Sequence, residues 1–263
     1  MPLPTPLRPI PLWAGPWTEE ALKKRYDDNP RSFDRGYRLR AWSDKESSFP
    51  SFEQCRTPGL VLGDIVRRTQ WPAFTGVDLS GKKRPGNAIV TVRVDPVSRH
   101  RYPVDVRYLA RAGPEVCESL NIVNEIFRPT VIMVEDNGYQ ESLLDWVGSE
   151  KAKYPFWVKI EATTTTGGKK SDADKGLPSL EVEFKNKAWV VPYSEYEAAG
   201  LDSPTPACHW VRWDNEFRFH PLAATTDGVM ATWFARQGIE IYGGFGAGST
   251  ALTEQSIGGI NSR

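Results

Sequence analysis

The spacing of apolar positions divides this chain into strands and helices. Phe74 to Leu79 is a short apolar run closed by the turn SGKKRPGN. Ala88 to Val94 alternates with the period of a strand, and Pro103 to Ala110 adds a third strand. Three successive strands with short connections predict an antiparallel meander. Gly113-Pro114 then opens a helix, with proline favoured at its first position. Val116, Leu120, Val123 and Phe127 supply its apolar stripe. Thr130 to Val134 is a nearly unbroken apolar run, of the kind found in a sheet covered on both faces. Gln140 to Val147 predicts another helix and Phe156 to Ala162 another strand. EVEFKNKAWVVP reads as two strands around Lys185-Asn186-Lys187, a β-hairpin. Helices are expected through His209 to Phe217 and from Gly228 to Arg236.

Meander, helix, strand, helix, strand and late helix is the order of an α/β, RNase H-like fold. Its five-stranded mixed sheet has the order 3-2-1-4-5 and is flanked by helices; here a β-hairpin is added. Residues 71–237 are expected to form this domain. Before it, residues 1–70 read as an N-terminal extension and linker. That stretch has a proline-rich start, a helix after Thr18, a second over Ser32–Ala41 and a polar connector over 43–70. Residues 163–176 lack an apolar anchor and read as a mobile loop, and residues 238–263 as a flexible Gly/Ser-rich tail.

Composition narrows the class without naming a chemistry. The 263 residues are 40% hydrophobic and 25% charged, as in globular domains. No apolar stretch is long enough to span a membrane, and the prolines of MPLPTPLRPIPLW do not suit a signal peptide, so a cytoplasmic protein is expected. Three scattered cysteines argue against a disulfide framework or a zinc site. His100, His209 and His220 are too dispersed for a metal set. Lys+Arg equals Asp+Glu, so any nucleic-acid contact has to come from local charge.

Candidate chemistry lies in three acids in separate segments. Asp78 in FTGVDLSG and Glu135 in VIMVEDNGYQ end apolar strands, and Asp227 in TTDGVMATWF precedes a helix. Taken singly, Asp78 could start a turn, Glu135 could belong to one, and Asp227 could cap a helix. Together, in the order 3-2-1-4-5, the first and fourth strands are adjacent and bring Asp78 beside Glu135. Two-metal phosphoryl transfer needs such hard oxygen ligands around two Mg²⁺ or Mn²⁺ ions roughly 3.5–4 Å apart. Asp78, on the central strand, is the expected bridging ligand.

These motifs resemble the C-terminal nuclease domain of the large terminase subunit of tailed bacteriophages, the DNA-packaging motor. FTGVDLSG is similar to the family's first catalytic strand, and VIMVEDNGYQ to its strand-4 motif, whose acid falls on Glu135. GLPSLEVEFKNKAWVVP resembles the hairpin region. RFHPLAATTDGVMATWFA resembles the terminal motif, usually a pair of aspartates; here Thr226 stands at the first position and Asp227 at the second. PLWAGPWTEEALKKRYDDNPRSFDRGYRLRAW is similar to the segment joining ATPase and nuclease. No G-x-x-x-x-G-K-[ST] phosphate loop occurs, so the chain carries no ATPase site of that type.

The resemblance implies a metal-dependent endonuclease that cuts concatemeric double-stranded DNA in the host cytoplasm. It also implies a packaging ATPase domain, a portal protein and a small terminase subunit as partners. Lys82, Lys83 and Arg84 follow the first strand, Lys169, Lys170 and Lys175 lie in the loop, and Lys185 and Lys187 in the hairpin. All eight are candidate phosphate contacts. The competing readings are another RNase H-like nuclease, such as a junction resolvase, and a docking or DNA-clamp module that does not cut.

Overall fold

Strands that are apolar throughout need cover on both faces, and this sheet has it. The structure is a computed structural model describing residues 18–28, 33, 47–79, 87–110, 113–135, 159–163, 168, 171–172, 175–192 and 207–244. In chain order come α1 (Glu19–Asp28), a 3-10 turn (Phe52–Cys55), β1 (Arg56–Thr57), α2 (Leu62–Val66), β2 (Ala73–Leu79), β3 (Asn87–Val94) and β4 (Arg101–Leu109). They are followed by α3 (Pro114–Phe127), β5 (Val131–Glu135), β6 (Lys159–Thr163), α4 (Pro178–Lys185), β7 (Val191–Pro192), α5 (Ala207–Phe219) and α6 (Asp227–Tyr242). The helix expected over 140–147 lies outside the described residues, as does most of the 32–41 helix and of the 163–176 loop.

The main sheet has five strands in the order β4-β3-β2-β5-β6. β2, β3 and β4 form the antiparallel meander, while β5 and β6 run parallel to β2. Numbered from β2, this is 3-2-1-4-5, and the fold is RNase H-like. β1 pairs with β7 in a small separate sheet.

One face carries α3, whose stripe Val116, Leu120, Val123 and Phe127 is buried. Pro114 opens this helix, and Arg128, in the left-handed conformation at φ 47°, ends it. The other face carries α6. There Gly76 permits backbone contact, because a methyl at that position would overlap the Ala231 carbonyl oxygen and the Ala235 amide nitrogen of α6.

The structure differs from the sequence reading in three segments. The expected β-hairpin at EVEFKNKAWVVP is instead α4, a turn and the short β7. Leu180 and Phe184, four apart, form the buried side of that helix, and Pro178 stands in its first turn. α6 runs on to Tyr242, past the expected helix end at Arg236 and into the stretch read as tail. Within the polar connector, Phe49, Phe52, Cys55, Leu62 and Ile65 belong to the main hydrophobic core.

Candidate metal centre at the sheet rim

Side-chain direction at the rim follows from register. Gly76 faces α6, and Gly238 of α6 lies against Met133, Val131 and Phe74. Strand side chains alternate with a period of two. Phe74, Gly76 and Asp78 therefore share the α6 face with Val131, Met133 and Glu135. β2 and β5 are in parallel register up to Val77↔Val134, so Asp78 and Glu135 are the next pair along. Neighbouring strands lie about 4.8 Å apart, a spacing at which two carboxylates can share an ion. The same row continues through Ala88 and Tyr108 on one side and Thr163 on the other. Asp78 is only 8% exposed, and Glu135 is half-buried.

Asp227 reaches this rim by another route. α6 crosses the sheet diagonally, with Gly238 over β5 and Gly228 against the Tyr108 hydroxyl of β4. Its first residue, Asp227, thus lies on the β4 side of the row, with Asp78 between it and Glu135. Thr226 holds the N-cap position but makes no side-chain cap bond. Asp227 sits inside the first turn, where a negative charge suits the helix dipole. Its Oδ2 accepts a hydrogen bond from Arg212 Nη2 at 3.1 Å.

Around that contact is a polar network between α5, α6 and β4. Arg212 Nη2 also donates to Thr225 Oγ1 at 3.0 Å, and Arg212 Nε donates to Glu216 Oε1 at 3.3 Å. The guanidinium lies 3.9 Å from the centre of the Tyr108 ring. Glu216, only 2% exposed, accepts the Gly228 amide N–H at 2.6 Å and the Thr225 hydroxyl. It thereby satisfies a helix-start donor that Thr226 leaves to others. Burial, and then the charge of Glu216, pushes the Tyr108 phenol well above its usual range, so it stays neutral. Burial also lowers His209, whose Nδ1 accepts the Tyr108 amide N–H at 3.4 Å. Sequence reasoning missed Arg212, Glu216 and Tyr108; the available signal was the four-residue spacing of Arg212 and Glu216 on one helix. Asp105, an acid of the meander, is fully buried and paired with Arg107 at 2.7 Å.

The candidate phosphate contacts separate. Lys82, Lys83, Arg84, Lys169 and Lys170 lie outside the described residues. Lys175 is exposed and shares a cavity of about 700 Å³ with Thr163, Trp233 and Gln237. Thr163 is the register partner of Glu135, so this cavity adjoins the acidic row. Lys185 and Lys187 lie elsewhere. Their turn leads into Ala188, whose carbonyl accepts the Arg101 amide at 2.9 Å. Arg101 starts β4, at the end of the sheet opposite Asp78.

Carboxylate oxygens are the hard donors that Mg²⁺ and Mn²⁺ prefer. Asp78 and Glu135 fit such an ion by chemistry and by register. Asp227 is engaged by Arg212, and among the described residues no three His, Cys, Asp or Glu side chains are grouped closely enough to hold an ion. No helix among the described residues is long and apolar enough to cross a membrane.

No family model matches the chain, and no curated protein matches it. Solved structures similar to it include terminase nuclease domains. One is the human cytomegalovirus terminase nuclease domain, Mn-soaked and inhibitor-bound, at 8% identity over 64% of this chain and 82% of that one, with a TM-score of 0.44. Another is the large terminase nuclease domain from bacteriophage SPP1 with bound Mn, at 12% identity over 69% and 94%, TM-score 0.45. The fowlpox virus Holliday junction resolvase is similar at 13% identity over 64% and 97%, TM-score 0.36. The fold assignment stands on strand order and on the crossing of α6.

Proposed function

We propose that this chain is a divalent-metal-dependent endonuclease that cuts double-stranded DNA with little sequence preference. Its task in this reading is cleavage of concatemeric DNA during phage genome packaging. It would work there beside a packaging ATPase domain, a portal protein and a small terminase subunit. The observation that carries the reading is the parallel register of β2 and β5 up to Val77↔Val134, with Asp78 and Glu135 the next residues along, under the helix that Asp227 begins. The motif resemblances around these acids support the packaging role.

In this reading Asp78, Glu135 and Asp227 would together hold the divalent ions through their carboxylate oxygens. Bound Mg²⁺ or Mn²⁺ supplies an activated water and charge stabilisation at the leaving oxygen. The chain's own part is to fix the carboxylates on a rigid sheet, so that little reorganisation accompanies reaction. Burial of Asp78 limits the water around it and strengthens its electrostatic contacts. Lys175, beside the Thr163 end of the row, is the described lysine best situated for a phosphate contact.

Nicking of supercoiled plasmid in Mn²⁺ tests the reading. Wild-type protein should nick it, and Asp78→Asn should abolish nicking while leaving the far-UV spectrum unchanged, a loss of about 10³-fold or more. Equal nicking by Asp78→Asn would overturn the assignment. The second reading, a clamp that binds without cutting, is favoured by one observation, the pairing of Asp227 with Arg212. DNA binding with no cleavage in any divalent metal would select it. Preference for four-way junctions over linear duplex would select a resolvase.

A further inference from the structure

We propose that Arg212 is a built-in competitor for the divalent ion at Asp227: its guanidinium occupies the third carboxylate until an ion takes its place. This rests on reading Asp78, Glu135 and Asp227 as the metal ligands. A guanidinium is always charged and presents a planar donor fork, so it binds the same carboxylate lone pairs that a metal needs. Arg212 makes that contact through Nη2, at 3.1 Å from Asp227 Oδ2.

The geometry lets Arg212 release Asp227 without stranding a buried charge. Its Nε is paired separately with Glu216 Oε1 at 3.3 Å, its Nη2 has Thr225 as a second acceptor, and its flat face rests on Tyr108. Glu216 is in turn anchored to the Gly228 amide, in a place that does not depend on Asp227. Among the described residues, Arg212 is shared between two carboxylates, Glu216 and Asp227. When Asp227 turns to a metal, a neutral Arg212–Glu216 pair remains, and the usual penalty for breaking a buried pair is avoided. The Arg212 side chain is 37% exposed, so it has room to withdraw.

The test measures Mn²⁺ affinity of the full chain without DNA, from the paramagnetic resonance signal of free Mn²⁺. Arg212→Gln should tighten Mn²⁺ binding about tenfold, within the usual range of coupling between sites. Adding Asp227→Asn should cancel that gain. Arg212→Lys keeps a cation for Glu216 but loses the fork; it should fold and tighten binding about threefold. It carries the test if Arg212→Gln does not fold. Unchanged or weaker Mn²⁺ binding in both variants overturns the proposal. Asp78→Asn separates the two levels. If it binds Mn²⁺ like wild type, the reading of the site has failed. If it loses Mn²⁺ while the Arg212 variants show no gain, only the competitor role has failed.

Discussion

Asp78 and Glu135 are informative because their backbones fix them, whereas Asp227 depends on its neighbours. Two acids at the ends of paired parallel strands cannot drift apart without breaking the sheet. Asp227, at a helix start, answers to whatever cation α5 presents, and Arg212 lies 15 residues away in the chain. Strand-end carboxylates were legible in the sequence because apolar runs announce where a strand stops. The Arg212 contact was not, because it depends on how two helices pack. Glu216 was hidden for a related reason: an acid among Trp213, Phe217 and other aromatics reads as an outward-facing residue, yet it turns inward to serve the start of α6. Two histidines give a prediction at this scale. Burial lowers both His209 and His220, and His220 rests against the Phe49 ring at 5.0 Å between centres. Each is therefore neutral in the folded chain at a pH where the unfolded chain begins to take up protons, about 6.5. Their contribution is complete well above the unfolded value of about 6.5 and is lost as pH falls through it toward the lowered folded values. The urea midpoint should decline between about pH 7.5 and about pH 5.5, with His220→Gln showing a shallower slope over that interval. A slope identical to wild type would remove His220 from the account.

Among elements, α6 does the most to define the site, and Gly76 is what allows it. β2 is buried along its whole length, so its glycine could be mistaken for a weak point in a strand. Its use is close approach: a Cβ there would overlap the backbone of α6. Gly76→Ala should therefore lift α6 from the sheet and cost about 3 kcal/mol. It should also weaken any metal binding at the rim, because Asp227 travels with the helix. Denaturation midpoints and Mn²⁺ titration together check this; an alanine variant with wild-type stability would mean that α6 packs differently. Strand order was legible because each strand is bounded by turns and long enough to show its period. α4 was not. In EVEF the apolar positions alternate as in a strand, while Leu180 and Phe184 also match a helix, and a short run cannot decide between the two periods. Val182, the residue that made the alternation look like a strand, is 54% exposed.

For the whole molecule, the question is where the folded unit begins. The sequence placed its start at Trp71, because Phe49 and Phe52 stand singly among polar residues and the short run Leu60–Leu62 shows no period. In the structure Phe52 is fully buried. It stacks on Phe217 at 4.8 Å between centres and meets Phe184 and Trp213 edge-on. Cys55 Sγ donates to the Phe184 carbonyl at 3.3 Å, and Arg56 pairs with Asp214. Burial raises the Asp214 carboxyl, opposed chiefly by Arg56, so removing Arg56 would leave that acid, among the described residues, to the more distant Arg218 at 3.9 Å. We infer that the segment before Trp71 completes the core beneath α4 and α5. Phe52→Ala in the full chain should cost about 3–5 kcal/mol. A chain beginning at Trp71 should expose Phe184, Phe217 and Trp213 together, bind a hydrophobic dye and be cut quickly by protease. These outcomes bear on the rim as well, since Arg212 and Trp213 are adjacent on α5 and loosening the packing of one disturbs the placement of the other. If the shortened chain instead unfolds cooperatively at the wild-type midpoint, the aromatic cluster is an ornament on a core that stands without it, and the original boundary is correct.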